Sequence, residues 1–346
     1  MAEFIAWVLV IAIAAYACAG GTDYGAGFWD LLAGGAEHGK RPRWLIDHAM
    51  APVWEANNVW LIFVLVIMWT GFPTMFQAVF SAMWLPLALA AVGLVLRGAG
   101  FALRKPTRRL AQQRIYGAAF AVSSLVTPFF LGAVLGGIAS GRVEVGTTAS
   151  ADAWANGTSV LTGLLAIAAT AFLGAVFLCS DALRFGAPDL VDYFRLRALC
   201  AFGVIVVLAL IALPVTHHDA RYVWDGLTGG MGLLLIILAA VCGLATVLLL
   251  LRRSYGWSRH TSVASVALVV GAWGFAQRPY VLPTSLTVTE AAGATHTLRW
   301  LVIVTVIAIV LVGPALVLLY RLDTMGELEE LTDADTRAAR TSGDNL

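Results

Sequence analysis

The sequence predicts an all-α integral membrane protein with nine transmembrane helices, and three observations carry that reading. The chain has 346 residues, 60% of them hydrophobic and only 12% charged, where soluble domains carry about 25%. Nine separate stretches approach the roughly 20 apolar residues that a helix needs to cross a bilayer. The basic residues are sorted between alternate loops rather than present in excess. Mean hydropathy is +0.84. A net charge of +1 by itself says nothing about partners, and nothing points to nucleic acid.

The predicted spans are about 4–22, 50–70, 76–97, 115–138, 158–180, 198–216, 227–251, 261–277 and 298–320. The first opens on an apolar stretch, Phe4 to Gly20, with no basic leader, and is read as a retained helix rather than a cleaved signal. It runs into Gly20-Gly21-Thr22-Asp23-Tyr24-Gly25-Ala26-Gly27, glycines enough to end a helix and to let backbones approach closely. The second span opens with Pro52-Val53-Trp54-Glu55-Ala56-Asn57-Asn58-Val59-Trp60. The stretch from Gly141 to Gly157 is the longest polar interruption in the first half and divides four helices from five, so two bundles are expected. After the eighth span, Arg278-Pro279-Tyr280-Val281-Leu282-Pro283 starts a long outer loop that its two prolines, Pro279 and Pro283, should make rigid and extended. One transmembrane domain over 1–322 is expected, then a polar tail over 323–346.

Lys and Arg set the orientation. The segments after spans one, three, five and seven, with the tail, hold 3, 6, 3, 3 and 3 of them, 18 of the 22; only Arg142, Arg221, Arg278 and Arg299 lie in the other loops. Basic residues favour the cytoplasmic side. The N-terminus is therefore expected outside and the tail inside.

An acid and two amides inside a spanning helix are expensive, which argues for a role. Glu55 is placed about five residues into its helix, roughly 8 Å below the inner edge, with Asn58 at i+3 on the same face. The pair reads either as a proton-handling site or as polar glue between helices. Asp23 sits on the same inner side, so Asp23 and Glu55 could share one proton path; alternatively Asp23 caps the glycine-rich turn. Those glycines are no nucleotide loop, since no strand precedes them and no Lys follows in place. His217 and His218 are placed in an outer loop, and His38, His48, His260 and His296 near membrane edges. No span carries a central His to ligate a haem iron, and no metal is expected on this chain alone. Cys18, Cys179, Cys200 and Cys242 show no CxxC pairing and read as small buried hydrophobes. Trp60 lies one turn beyond Glu55 with its ring N–H in the membrane.

At Gly20–Gly27, at Pro52–Leu61, at Arg97-Gly98-Ala99-Gly100-Phe101 and at Pro279–Leu298 the chain resembles subunit II of the cytochrome bd quinol oxidases. The likeness covers most of the chain, and the Pro-x-Trp-acid-x-Asn-x-Val-Trp-Leu stretch is its most specific part. Glu55 stands where that family often has Asp, Ala56 where it often has Gly, and Asn58 where it often has Gln or Glu. The resemblance implies two four-helix bundles with a peripheral helix, in a bacterial plasma membrane. It implies an obligate partner, subunit I, that carries two haems b and one haem d and reduces oxygen to water with electrons from a quinol, menaquinol by expectation. This chain would hold no haem. A bound quinone and a small accessory subunit are compatible with the resemblance. It further places Glu55, Asp23 and Asn58 on an inner-side proton pathway and Trp60 near an oxygen route. Gly25, Gly27, Trp54, Asn57, Arg97, Pro279 and Pro283 become motif positions. Composition alone would also permit a proton-coupled secondary transporter using Glu55, although such proteins gather polar residues near the midplane rather than near one edge.

Overall fold

The computed structural model describes residues 1–35, 38–50, 54–104 and 110–325. Its elements are α1 (Ala2–Leu31), α2 (Lys40–Met50), α3 (Trp54–Gly71), α4 (Pro73–Ala82), α5 (Trp84–Arg104), α6 (Leu110–Ala139), α7 (Gly157–Arg184), α8 (Pro188–Asp219), α9 (Arg221–Thr228), α10 (Gly230–Leu251), α11 (Tyr255–Ala276), a two-stranded hairpin of β1 (Tyr280–Leu282) and β2 (Leu286–Thr287), α12 (Val288–Ala291) and α13 (Thr295–Met325). The expected all-α architecture is what these elements form.

Among the described residues, α1, α6, α7, α8, α10 and α13 are long and apolar enough to cross a bilayer. The pair α3 and α4 also passes as one unit but bends by 116°. The apolar part of α5, Trp84–Gly100, is shorter. In α11 the first two turns carry Ser258, Arg259, His260, Thr261 and Ser262, which lowers its hydropathy. Length and apolarity thus yield six spans, or seven with the bent pair, rather than nine. Both α5 and α11 are nonetheless packed antiparallel to a long neighbour. Thr127 of α6 donates to the Ala90 carbonyl of α5, and Ser265 of α11 donates to the Ala239 carbonyl of α10.

The boundaries differ from expectation in informative places. The third predicted span, 76–97, straddles two helices, because the chain turns sharply at Phe72 and Pro73 starts a lateral helix before α5 begins at Trp84. The glycines at 20–27 do not end the first helix, which continues to Leu31. Each interior glycine costs a helix about 1 kcal/mol relative to alanine; here neighbouring helices offset it by packing directly on the glycine faces. A Cβ on Gly25 would stand 1.9 Å from the Thr170 carbonyl oxygen, and one on Gly174 would stand 2.6 Å from the Gly25 Cα. The α1–α7 crossing therefore brings two backbones into contact, as the expectation of close approach required. His217 and His218 lie in the last turn of α8 rather than in a loop. Cys18 and Cys179 are buried, but Cys200 is exposed on α8 and Cys242 is only partly covered. Pro279 and Pro283 frame the β1–β2 hairpin, whose Val288 N–H donates back to the Pro279 carbonyl.

Chain ends and connections gather at two opposite ends. At one end Glu3 pairs with Arg278 (3.3 Å), Gly293 N–H donates to the Gly71 carbonyl (2.8 Å), and Ser285 reaches the Val143 carbonyl (3.5 Å). Arg142 bonds Asp219 there, and Asp219 also accepts from Thr158 Oγ1 (2.6 Å). The other end holds Arg43–Asp30 (2.8 Å), Arg41–Asp189 (2.9 Å), Arg259–Asp181 and Arg253–Asp192 (3.7 Å). Two apolar cores lie between. One, around Ile5, Phe72, Met83 and Leu282, sits under the first end; the other, around Trp29, Phe120, Phe172 and Phe194, sits over the second.

Candidate functional site

The polar interior of the protein is concentrated where α1, α3, α5 and α6 meet. Asp23 is buried on α1, eight residues before Leu31, or about 12 Å from that end of the helix. It is not at a turn, so the capping role considered for it does not apply. The buried side-chain amide of Asn57, on α3, donates to Asp23 Oδ2 at 2.7 Å. Glu55 stands two residues before Asn57, in the first turn of α3; its side chain and that of Trp54 lie outside the described residues. The amide that meets the α1 carboxylate is thus Asn57 rather than Asn58. Consecutive helical residues diverge by about 100°, and Asn58, half-buried, makes interactions of its own. Trp60 is also half-buried on α3.

Arg97 provides the positive charge. Counted from sequence as an inner-surface residue, it is in fact inside α5 and 5% exposed. Its guanidinium lies between two rings, with Cζ 4.6 Å from the Tyr24 centroid and 4.7 Å from the Phe120 centroid. Nη1 donates to Ser124 Oγ, whose own hydroxyl donates to the Phe120 carbonyl (2.8 Å). Nη2 is buried with no hydrogen-bond partner among the described residues. Asp23 lies one turn before Gly27 on the face of α1 that Arg97 Nη1 approaches, so the carboxylate and the guanidinium share that face. Burying a guanidinium is tolerable only where rings, hydroxyls and an opposite charge replace water. Gly27 makes room for it, since a Cβ there would fall 2.0 Å from Ser124 Oγ and 3.0 Å from Arg97 Nη1. Gly25 and Gly27 thus have separate jobs, one at the α1–α7 crossing and one beside Arg97.

Four further residues complete the cluster and carry no motif signature. Tyr24 shares a 2.9 Å hydrogen bond with Tyr16, two turns away on α1. Thr127 of α6 is buried and donates to the Ala90 carbonyl of α5. Ser123, Ser124 and Thr127 interrupt the apolar run of α6 within little more than one turn, which is a signal that sequence reading could have used. Pro279 and Pro283 are at the opposite end of the molecule and do not join this site.

The cluster can hold a carboxylate and a guanidinium inside the membrane with most polar atoms satisfied, leaving one guanidinium nitrogen to bind an acceptor. It does not suit haem. All six histidines are exposed and sit at or near helix ends or in connecting segments. Among the described residues no group of three or more His, Cys, Asp or Glu is arranged to hold a metal.

Known proteins resemble this chain in sequence and fold. The chain is 23% identical over 290 residues to the cytochrome bd ubiquinol oxidase subunit 2 of Bacillus subtilis, covering 81% of this chain and 82% of that one. It is 26% identical over 140 residues to the cytochrome bd-I ubiquinol oxidase subunit 2 of Escherichia coli, covering 40% and 36%. The structure of bd oxidase from Geobacillus thermodenitrificans contains a chain that superposes with a TM-score of 0.75 at 25% identity, over 93% of this chain and 98% of that one. The family profile of cytochrome bd terminal oxidase subunit II matches residues 1–323, and this chain belongs to that family.

Proposed function

We propose that this chain is the haem-free half of a quinol:oxygen oxidoreductase of the plasma membrane, and that its buried cluster carries protons from the inner side toward haems b and d held by subunit I. The observation that carries the reading is the Asp23–Asn57 hydrogen bond, which ties a membrane-buried acid on α1 to the segment of α3 that begins with Glu55. Glu55, in the first turn of its helix, takes up the proton; Asp23, held by Asn57 and faced by Arg97, receives it deeper in the membrane. Subunit I and its haems supply the redox chemistry, while this chain binds and orients protonatable groups and excludes bulk water. The exposure of every histidine supports the absence of haem here. Asn58 neighbours this route without titrating, and Trp60, further along α3, faces the partner's oxygen route.

The sorting of connections between two ends supports nine traverses, outside to inside along α1 and ending inside after α13. The Glu3–Arg278, Gly71–Gly293 and Val143–Ser285 contacts place alternate connections together. The basic-rich end, with Arg41, Arg43, Arg184 and Arg259, becomes the cytoplasmic one. Within this topology α1, α3, α5 and α6 form one four-helix group, α7, α8, α10 and α11 the other, and α13 lies outside against α3.

Glu55→Gln tests the proton role, because Gln keeps the size and most hydrogen bonds of Glu but cannot titrate. Quinol oxidase turnover per haem d should fall in Glu55→Gln and recover in part in Glu55→Asp, with haem content preserved. Wild-type turnover per haem d in Glu55→Gln across the working pH range would overturn the assignment.

A further inference from the structure

The proton route just proposed does not use the two buried tyrosines, and their geometry gives them a distinct task. We propose that Tyr24, clamped through its hydroxyl by Tyr16, is a positioning residue that holds the Arg97 guanidinium in register with Asp23. The inference rests on the proton-carrying reading of Asp23.

Arg97 lies over the Tyr24 ring at 4.6 Å and over the Phe120 ring at 4.7 Å. Two ring faces limit how the guanidinium can tilt, and the bond from Nη1 to Ser124 limits its rotation. Phe120 is packed tightly, at 1% exposure. Tyr24 is anchored by packing and by its hydroxyl. Tyr16 holds it from along α1 at 2.9 Å, with the two rings nearly perpendicular at 81°. The effect of Tyr24 reaches the reaction through Arg97, whose Nη1 comes up to Gly27, one turn after Asp23 on the same face of α1. The field at a buried carboxyl depends steeply on where its counter-charge sits, because little water is present to screen it. With the guanidinium free to tilt, Asp23 would hand protons on less well without disturbing the fold.

The test uses membranes containing the full oxidase complex, with turnover and its H2O/D2O solvent isotope effect both normalised to haem d. Tyr24→Phe keeps the ring and removes the clamp. It should lower turnover per haem d about fivefold, the size one hydrogen bond commands, and raise the isotope effect. Quinol KM and haem d content should stay at wild-type values. Tyr16→Phe removes the other end of the same hydrogen bond and should act in the same direction. In an Asp23→Asn background, Tyr24→Phe should add nothing, because the group it serves is gone. An unchanged isotope effect in Tyr24→Phe beside a clear defect in Asp23→Asn overturns the positioning role alone. Haem loss in Tyr24→Phe with normal turnover per remaining haem d overturns it too, by showing a structural role only. Wild-type behaviour of Asp23→Asn itself would remove the underlying proton reading instead.

Discussion

Replacing Gly25 by alanine is the sharpest test of the architecture, because one methyl group would be placed where two helix backbones touch. The added Cβ meets the Thr170 carbonyl oxygen at 1.9 Å and the N and Cα of Gly174 at 2.8 Å. Ordinary contact begins near 3.4 Å, so α1 and α7 must part by about 1.5 Å. All three obstacles are backbone, so no side chain can rotate away. Overpacking of this kind costs about 1–3 kcal/mol. Parting the helices also strains the bond from Trp29 Nε1 to the Ala171 carbonyl (2.8 Å), worth about 1 kcal/mol. Alanine's better helix propensity returns about 1 kcal/mol. The balance is a loss of about 2 kcal/mol, roughly thirtyfold in a folding equilibrium. Gly203→Ala on α8 is the matched control, since nothing lies within 4 Å of its new methyl group; it should be neutral or slightly stabilising. Thermal unfolding of the purified complex, followed by loss of the haem absorbance, reads both variants. Equal midpoints for Gly25→Ala and Gly203→Ala would refute the claim that α1 and α7 meet backbone to backbone.

Expression of this chain without its partner should yield no stoichiometric haem absorbance, because none of its histidines is buried between helices; a stable one-to-one haem would contradict the site description. Reporters inserted near Gly146 should be active outside the cell and reporters fused after Leu346 active inside, and activity of both on one side would break the traverse count. Asp30→Asn should loosen the connection between α1 and α2, since Arg43 donates to Asp30 Oδ1 (2.8 Å) and to the Gly34 carbonyl (2.6 Å); faster proteolysis near Gly35 checks it. Glu290 accepts from the Thr287 N–H (3.0 Å) and from Thr287 Oγ1 (2.7 Å), which holds its carboxyl below the ordinary range. That support is complete above the usual Glu value of about 4.3 and is lost as pH falls through the lowered one. Protection of the Thr287 amide, measured against its intrinsic exchange rate, should therefore fall on acidification in the wild type and be low throughout in Glu290→Ala.

The helices were legible wherever apolar composition decides the matter, and boundaries were misplaced wherever packing does. Continuation of α1 through Gly20–Gly27 could not be foreseen, because propensity argues for a break and only the surfaces of α6 and α7 argue against it. The bend at Phe72 was hidden for a related reason: the apolar run continues across it, and hydropathy does not register direction. At the site, the acid and amide motif on α3 and the Asp23 turn pointed to the right neighbourhood. Asn57 as the partner of Asp23 was not foreseen, since helical spacing from Glu55, which drew attention to Asn58, says nothing about the angle at which α3 faces α1. Tyr16, Tyr24, Ser124 and Thr127 were invisible as a group, lying on two helices a hundred residues apart. Arg97 shows how a simple charge count misleads, for it was tallied among surface cations and is fully enclosed.

Arg97 also says most about why the cluster exists. A buried charge pair seldom stabilises a protein more than apolar residues of the same volume would. The surroundings here are shaped to keep one nonetheless. Gly27 gives up a side chain to admit Ser124 and the guanidinium, and Phe120 and Tyr24 supply faces rather than ordinary aliphatic packing. Asn57 satisfies Asp23 without neutralising it. An arrangement selected for stability alone would be simpler to build from leucines, as the rest of these helices are. Three helices instead hold a buried carboxylate about 12 Å from the Leu31 end of α1, near a positive charge with one donor unpartnered among the described residues. A group that must gain and lose a proton during turnover needs such a setting, because both its charged and its neutral forms have to be tolerated in place.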